Sequence, residues 1–193
     1  MSESAQRSEQ SFTYQDYLTW PLNERWELLN GRAFNMTPAP PSRRHQEISA
    51  QLLTLFNNYL KGKPCRVYAA PFDVRLPQLL ESDLQTSTVV QPDIVVVCDK
   101  NKLDQRGCIG SPDLVVEITS PSTFQRDLKE KFILYESVGV LEYWIVYPEE
   151  NTICVFQLTH EGKYSRPDVY TGQDSIIVGI FSDLIIELPE VFA

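Results

Sequence analysis

Three side chains stand where their chemistry conflicts with their surroundings. Asp93 interrupts the apolar run VVQPDIVVVC, residues 89–98. Glu117 interrupts the next one, Leu114 to Ile118. An isolated buried carboxylate is costly, so an acid inside such a run needs a reason. The third is Lys131, in the helical pattern from about Arg126 to Val138. At about 100° per residue, with Lys131 at zero, Phe124 falls at about 20°, Tyr135 at about 40°, Leu128 at about 60°, Phe132 at about 100° and Val138 at about 340°. Lys131 therefore sits within the apolar stripe, and Asp127 borders it. Lys129 and Glu136 fall on the opposite side and read as solvated. Two carboxylates on neighbouring strands can share a hard cation such as Mg2+. Such a cation acidifies bound water and stabilises charge on a phosphoryl oxygen, while a lysine can orient the water or contact the phosphate. The same three residues also fit a structural ion pair between Glu117 and Lys131, with Asp93 capping a turn. Spacing alone leaves both readings open.

The elements that must position these groups follow from periodicity. Residues 111–148 read as strand, turn at Ser120 to Ser122, helix, then a strand over Tyr143 to Val146. Pro92 is tolerated at the first residue of a strand, which puts Asp93 at the start of the strand that follows. Upstream, Ser11 or Thr13 can cap a short helix through Trp20. Asn30-Gly31 signals a hairpin, with Glu27 in its first strand either as a site residue or as a surface acid. After the proline-rich TPAPPS, Ser42 caps a helix to about Leu60. Its stripe of Ile48, Leu52, Leu55, Phe56 and Tyr59 includes His45 but not Glu47. Arg66 to Ala70 and Phe72 to Leu76 read as a strand pair, or as one strand bent at Pro71. Asp73 and Arg75 share one face of the second segment, a solvated face if it stood alone. Leu79 to Ser87 and Lys100 to Gly110 read as loops. A turn over Pro148 to Asn151 leads to a strand from Thr152 to Leu158. Further strands are expected over Tyr164 to Tyr170 and Ser175 to Val178, and LIIELPEVF should pack on the core or on a partner chain.

The chain has 193 residues, 42% hydrophobic and 22% charged, which suits one soluble globular domain over residues 12–193 behind a polar, disordered tail of residues 1–11. No stretch is apolar enough to span a membrane, and the N-terminus lacks an apolar signal core. Cys65, Cys98, Cys108 and Cys154 form no C-x-x-C pair, which argues against a zinc site. Cys98 and Cys154 lie in strand-like runs and read as buried thiols, in keeping with a cytoplasmic protein. The net charge of −9 argues against broad nonspecific nucleic-acid binding, although acidic metal ligands count toward it. No Walker A loop, G-x-G-x-x-G, H-E-x-x-H or G-x-S-x-G is present.

Taken in order, ELLNG, HQEI, PFDVRL, QPDIVVVCD, SPDLVVEITSPST, a helical D-x-x-x-K and GVLEYWIVYP resemble the bacterial family described as putative restriction endonucleases, within the PD-(D/E)XK nuclease superfamily. The similarity spans about Tyr14 to Leu158. It implies a restriction-endonuclease-like α/β core, a central mixed β-sheet flanked by helices with additional β-hairpins. It also implies hydrolysis of DNA phosphodiester bonds with Mg2+, or Mn2+ as a substitute. Asp93 matches the PD aspartate and Glu117 the (D/E) residue, so these two become the metal ligands. Thr119 stands where the superfamily expects lysine; a lysine moved onto the next helix is a recurrent variant, and Lys131 matches it. His45 and Asp73 match positions that the family retains and join the catalytic set. Tyr147 stands where the family usually has aspartate. Arg43, Arg44 and Arg126 become candidates to grip phosphate, each with solvated surface charge as the competing reading. The resemblance further implies a homodimer, since such nucleases often cut both strands with two sites. The rival readings are a non-catalytic binding or regulatory domain that kept the fold, and a metal hydrolase acting on a small phosphoester in a closed pocket.

Overall fold

The computed structural model describes residues 11–21, 23–36, 41–120 and 127–193. Most of the N-terminal tail, most of TPAPPS, the turn after Ser120, Phe124 and Arg126 lie outside the described residues, as do the side chains of Asp127 and Leu128.

Strands β1 (Trp26–Leu29) and β2 (Arg32–Asn35) form the hairpin that Asn30-Gly31 announced. Both turn residues take positive φ, 49° and 77°, as a type I′ turn demands. A Cβ on Gly31 would lie 2.2 Å from Ser11 Oγ, so only glycine fits there. Helix α1 (Tyr14–Tyr17) is shorter than expected, with Thr13 at its N-cap. Helix α2 (Arg43–Leu60) starts at Ser42, whose side chain accepts from His45 N.

Two expected strands are each divided between two sheets. Strand β3 (Arg66–Ala69) and strand β4 (Asp73–Arg75) part on either side of Pro71. Strands β5 (Val89–Val90) and β6 (Ile94–Val97) part at Gln91-Pro92. Proline has no N–H to give a ladder, so each proline ends pairing in one sheet and frees the chain to enter the other. The segment expected as a loop over Lys100 to Gly110 holds a small hairpin, β7 (Leu103–Asp104) with β8 (Gly107–Ile109). One mixed sheet has the order β2-β1-β5-β4-β8-β7.

The other mixed sheet carries the site. It adds β9 (Leu114–Ile118), β10 (Glu142–Tyr147), β11 (Thr152–Gln157) and β12 (Asp168–Thr171), in the order β12-β11-β10-β9-β6-β3. Strands β9 and β10 are parallel, so a crossover must join them. Its described part is a π-helical turn, Asp127–Lys131, running into α3 (Phe132–Val138). Gly139, at φ 82°, ends that helix in the left-handed conformation that glycine favours.

Alternation sorts the central strands onto two cores. Ile94, Val96, Leu114, Val116, Trp144 and Val146 pack with Ile48, Leu52 and Phe56 of α2. Val95, Val97, Val115, Tyr143 and Ile145 face Tyr135 of α3 and Val74 and Val90 of the first sheet. The C-terminal strands β13 (Ser175–Ile177) and β14 (Ile185–Glu187) and helix α4 (Leu188–Val191) pack on the α2 side through Ile176, Ile186, Leu188 and Val191. The apolar C-terminus thus belongs to the core.

Cys98 is not a thiol: it is bonded to Cys65 across 33 residues, which removes it from the argument for a reducing compartment. Cys154 is a half-buried thiol and Cys108 a buried one. Among the described residues no helix is long and apolar enough to cross a membrane. Of the two groups read as solvated on the helix, Lys129 is exposed. Glu136 is mostly covered; it pairs with Lys163 and accepts from Tyr164 N.

Candidate active site

The β6–β9 ladder pairs Ile94 with Val116 and Val95 with Val115 in antiparallel register. Extending it by one residue sets Asp93 opposite Glu117. By alternation Glu117 shares the face of Val115, toward α3. Asp93 stands one residue before β6. The two apolar runs thus bring their two acids to the same end of neighbouring strands. Asp93 Oδ2 accepts from Ile118 N at 2.7 Å, which ties the carboxylate to the neighbouring strand. His45 Nε2 lies 3.3 Å from Asp93 Oδ1, reaching it from α2 on the opposite side of the sheet. Its buried Nδ1 has no hydrogen-bond partner among the described residues.

Glu117 is 3% exposed and Lys131 2%. Lys131 Nζ donates to Glu117 Oε1 at 2.9 Å. The same Nζ lies 2.9 Å from Glu27 Oε1, so the lysine bridges two acids. Glu27 is fully buried, which overturns its reading as a surface acid. It accepts from Gln91 N at 3.0 Å as well. Tyr135, one helical turn beyond Lys131, donates its hydroxyl to Glu117 Oε1 at 2.7 Å. Burial pushes the Tyr135 hydroxyl well above the ordinary tyrosine range, and the negative charge on Glu117 and Glu27 adds to the shift. Its proton therefore stays in place to be donated.

Asp73 joins the edge of this cluster through Gln91. Gln91 donates its side-chain amide to Asp73 Oδ1 at 2.9 Å while its main chain serves Glu27. Tyr17 OH donates to the same Asp73 oxygen at 2.9 Å. Burial, and then the Asp73 charge, raise both neighbouring phenols, Tyr14 to about 12. Arg75 does not share a solvated face with Asp73; it is fully buried and pairs with Asp83 and Asp104.

Of the candidates to grip phosphate, two have partners within the fold. Arg44 is spent on the C-terminus, donating to Phe192 O at 2.7 Å and to Asn151 Oδ1 at 2.8 Å. Arg43 is exposed and pairs with Glu47 one turn on. Arg126 lies outside the described residues.

Sequence reasoning missed Tyr135 and undervalued Glu27. The wheel that selected Lys131 also put Tyr135 about 40° away, and a phenol inside an apolar stripe needs a partner. For Glu27 the signal was Leu29, two residues on and therefore on the same strand face.

The donor set suits a hard cation. Asp93 and Glu117 offer oxygen, and Mg2+ is commonly held by one or two carboxylates plus water and substrate phosphate. Among the described residues no group of three or more His, Cys, Asp or Glu could hold a metal by itself. The fit is to a two-carboxylate site completed from solution, not to an all-protein cage.

Comparison with known proteins bears on the fold first. A crystal structure of a protein titled a putative nuclease belonging to DUF820, from Anabaena variabilis, superposes with a TM-score of 0.73 at 19% identity, covering 94% of this chain and 97% of that one. The architecture is thus that of a nuclease-like α/β fold. Residues 14–188 match the Uma2 family, described as putative restriction endonuclease. An uncharacterized protein of Synechocystis sp. is 31% identical over 153 residues, 78% of this chain and 76% of that protein. The chain belongs to the Uma2 family.

Proposed function

We propose that the protein is a Mg2+-dependent endonuclease that hydrolyses DNA phosphodiester bonds. The observation that carries this reading is the strand register that pairs Ile94 with Val116, one residue from Asp93 and from Glu117, with Lys131 2.9 Å from Glu117. Asp93 and Glu117 would hold the cation, which when bound supplies an acidified water and neutralises charge on the phosphate. Lys131 is placed beside Glu117 to orient that water or to meet a phosphate oxygen. Glu27 holds Lys131 from its other side. His45 and the Ile118 main chain fix the direction of Asp93. Asp73 acts at one remove, through Gln91. A cytoplasmic homodimer with one site per DNA strand completes the reading.

The experiment is cleavage of supercoiled plasmid with Mg2+, Mn2+ or EDTA. The wild type should nick it only with metal, and Glu117→Gln should be inactive while keeping the wild-type circular dichroism. A Glu117→Gln variant with full activity would sink the assignment.

One observation favours a binding domain that retains the fold: Lys131 already bridges Glu27 and Glu117, as a purely structural ion pair would. That reading expects no metal-dependent cleavage from the wild type. The small-phosphoester reading asked for a closed pocket at the carboxylates. A cleft of about 590 Å³ between the loop at Leu76 to Leu79 and the outer face of α3 is lined by Ile133, Leu134 and Ser137 and by none of the acids above.

A further inference from the structure

Glu117 must present its carboxylate to the opposing strand, yet a glutamate side chain on a sheet face can turn about its terminal bond. Two donors meet on one of its oxygens. Lys131 Nζ and Tyr135 OH both bind Oε1, at 2.9 and 2.7 Å. They come from positions i and i+4 of the same helical segment, so they stand one above the other on one face. Two fixed donors on one oxygen set the rotation of the carboxylate, and with it the direction of Oε2. The lysine alone would be a poor guide, because it is a flexible chain that also serves Glu27. The phenol is rigid. Its ring is fully buried and packs edge-on to Tyr143 at 5.1 Å. Tyr143 is in turn stacked with Phe156 at 6.0 Å. The aromatic cluster thus sets the ring, the ring sets the hydroxyl, and the hydroxyl sets Glu117.

We propose that Tyr135 is a positioning residue of the active site, aligning the Glu117 carboxylate for the cation through its hydrogen bond to Oε1. The inference rests on the metal-site reading of Asp93 and Glu117. Partners that orient a ligand in this way commonly change metal affinity by about 10–100-fold when removed.

The test compares Mn2+ affinity and thermal stability in wild type, Tyr135→Phe and Tyr164→Phe. Tyr164 is the control: it borders the same aromatic cluster, and its hydroxyl donates to Val140 O at 3.0 Å, away from Glu117. Both variants should lose some thermal stability, since each loses one phenolic hydrogen bond. Only Tyr135→Phe should weaken Mn2+ binding, by about tenfold or more. Equal Mn2+ affinity in Tyr135→Phe and wild type overturns the inference while leaving the metal site standing. No Mn2+ binding by the wild type removes the metal site and the inference together. Should Tyr135→Phe not fold, fluorotyrosine placed at position 135 alone gives the answer in otherwise wild-type protein. Its fluorine resonance should shift on Mg2+ addition and saturate with the binding isotherm; an unmoved resonance overturns the proposal.

Discussion

Two buried cations organise this molecule, and they are built differently. Arg75 is fully buried between Asp83 and Asp104, but the side chains of those acids are 34% and 40% exposed. Lys131 lies between Glu27 and Glu117, and there all three members are buried. The Arg75 clasp is a fork that fits its partners: two bonds to Asp83 at 3.0 and 2.8 Å and one to Asp104 at 2.6 Å. It staples the 3-10 turn Asp83–Gln85 and the β7–β8 hairpin to β4, and its acids keep part of their hydration. The Lys131 cluster gives up that hydration, an arrangement that seldom favours stability over apolar packing. It also puts a point charge, not a fork, at the centre. The first arrangement is what a structural clasp needs. The second makes sense if the acids have a further task.

Substitutions can break or sharpen that contrast. Arg75→Leu should have the largest effect on folding, a loss of about 1.5–3 kcal/mol in denaturant unfolding, because the charged hydrogen bonds to Asp83 and Asp104 are lost while those acids keep part of their hydration. Metal affinity should survive in the folded fraction. A Arg75→Leu variant that folds normally but fails to bind metal would merge the two regions into one.

Lys131→Met should lower plasmid cleavage by about 100-fold or more, the range expected of a positioned proton-handling group. Lys129→Met, on the exposed side, should leave cleavage unchanged. Equal effects would mean that the inward lysine has no chemical role.

The pH dependence of unfolding follows from the clasp. Its hydrogen bond from Arg75 holds the Asp104 carboxyl below the usual aspartate range. That pairing contributes its full stability above about pH 4. The contribution falls as pH drops toward the lowered folded value and is gone below it. Urea unfolding of wild type and Asp104→Asn should therefore differ most at neutral pH and converge in acid. The smallest effect belongs to the surface: Arg43→Ala removes an exposed pair with Glu47 and should shift stability by less than about 0.5 kcal/mol.

The centre of the site was legible in the sequence because its members are anomalies in strong patterns. An acid in an all-apolar strand and a lysine in an apolar stripe stand out without any tertiary information. That they stand at the same end of neighbouring strands follows from the ladder that pairs Ile94 with Val116. What could not be read was decided by sheet membership. Nothing local says that Val89-Val90 and Ile94–Val97 serve different sheets, although Pro92 marks the place. The burial of Arg75 likewise depends on Asp104, 29 residues away on a hairpin too short to signal itself. The family resemblance supplied the nuclease assignment, and it supplied His45 and Asp73 as site residues; their contacts emerged only from the structure.

The most direct measurement is calorimetric titration of Mn2+ into wild type and Asp93→Asn. The wild type should bind saturably, and binding should be lost, or weakened by at least about tenfold, in the variant. Equal binding to both proteins would contradict the site assignment, because the cation would then be held without the acid that the strand register brings to the same end as Glu117.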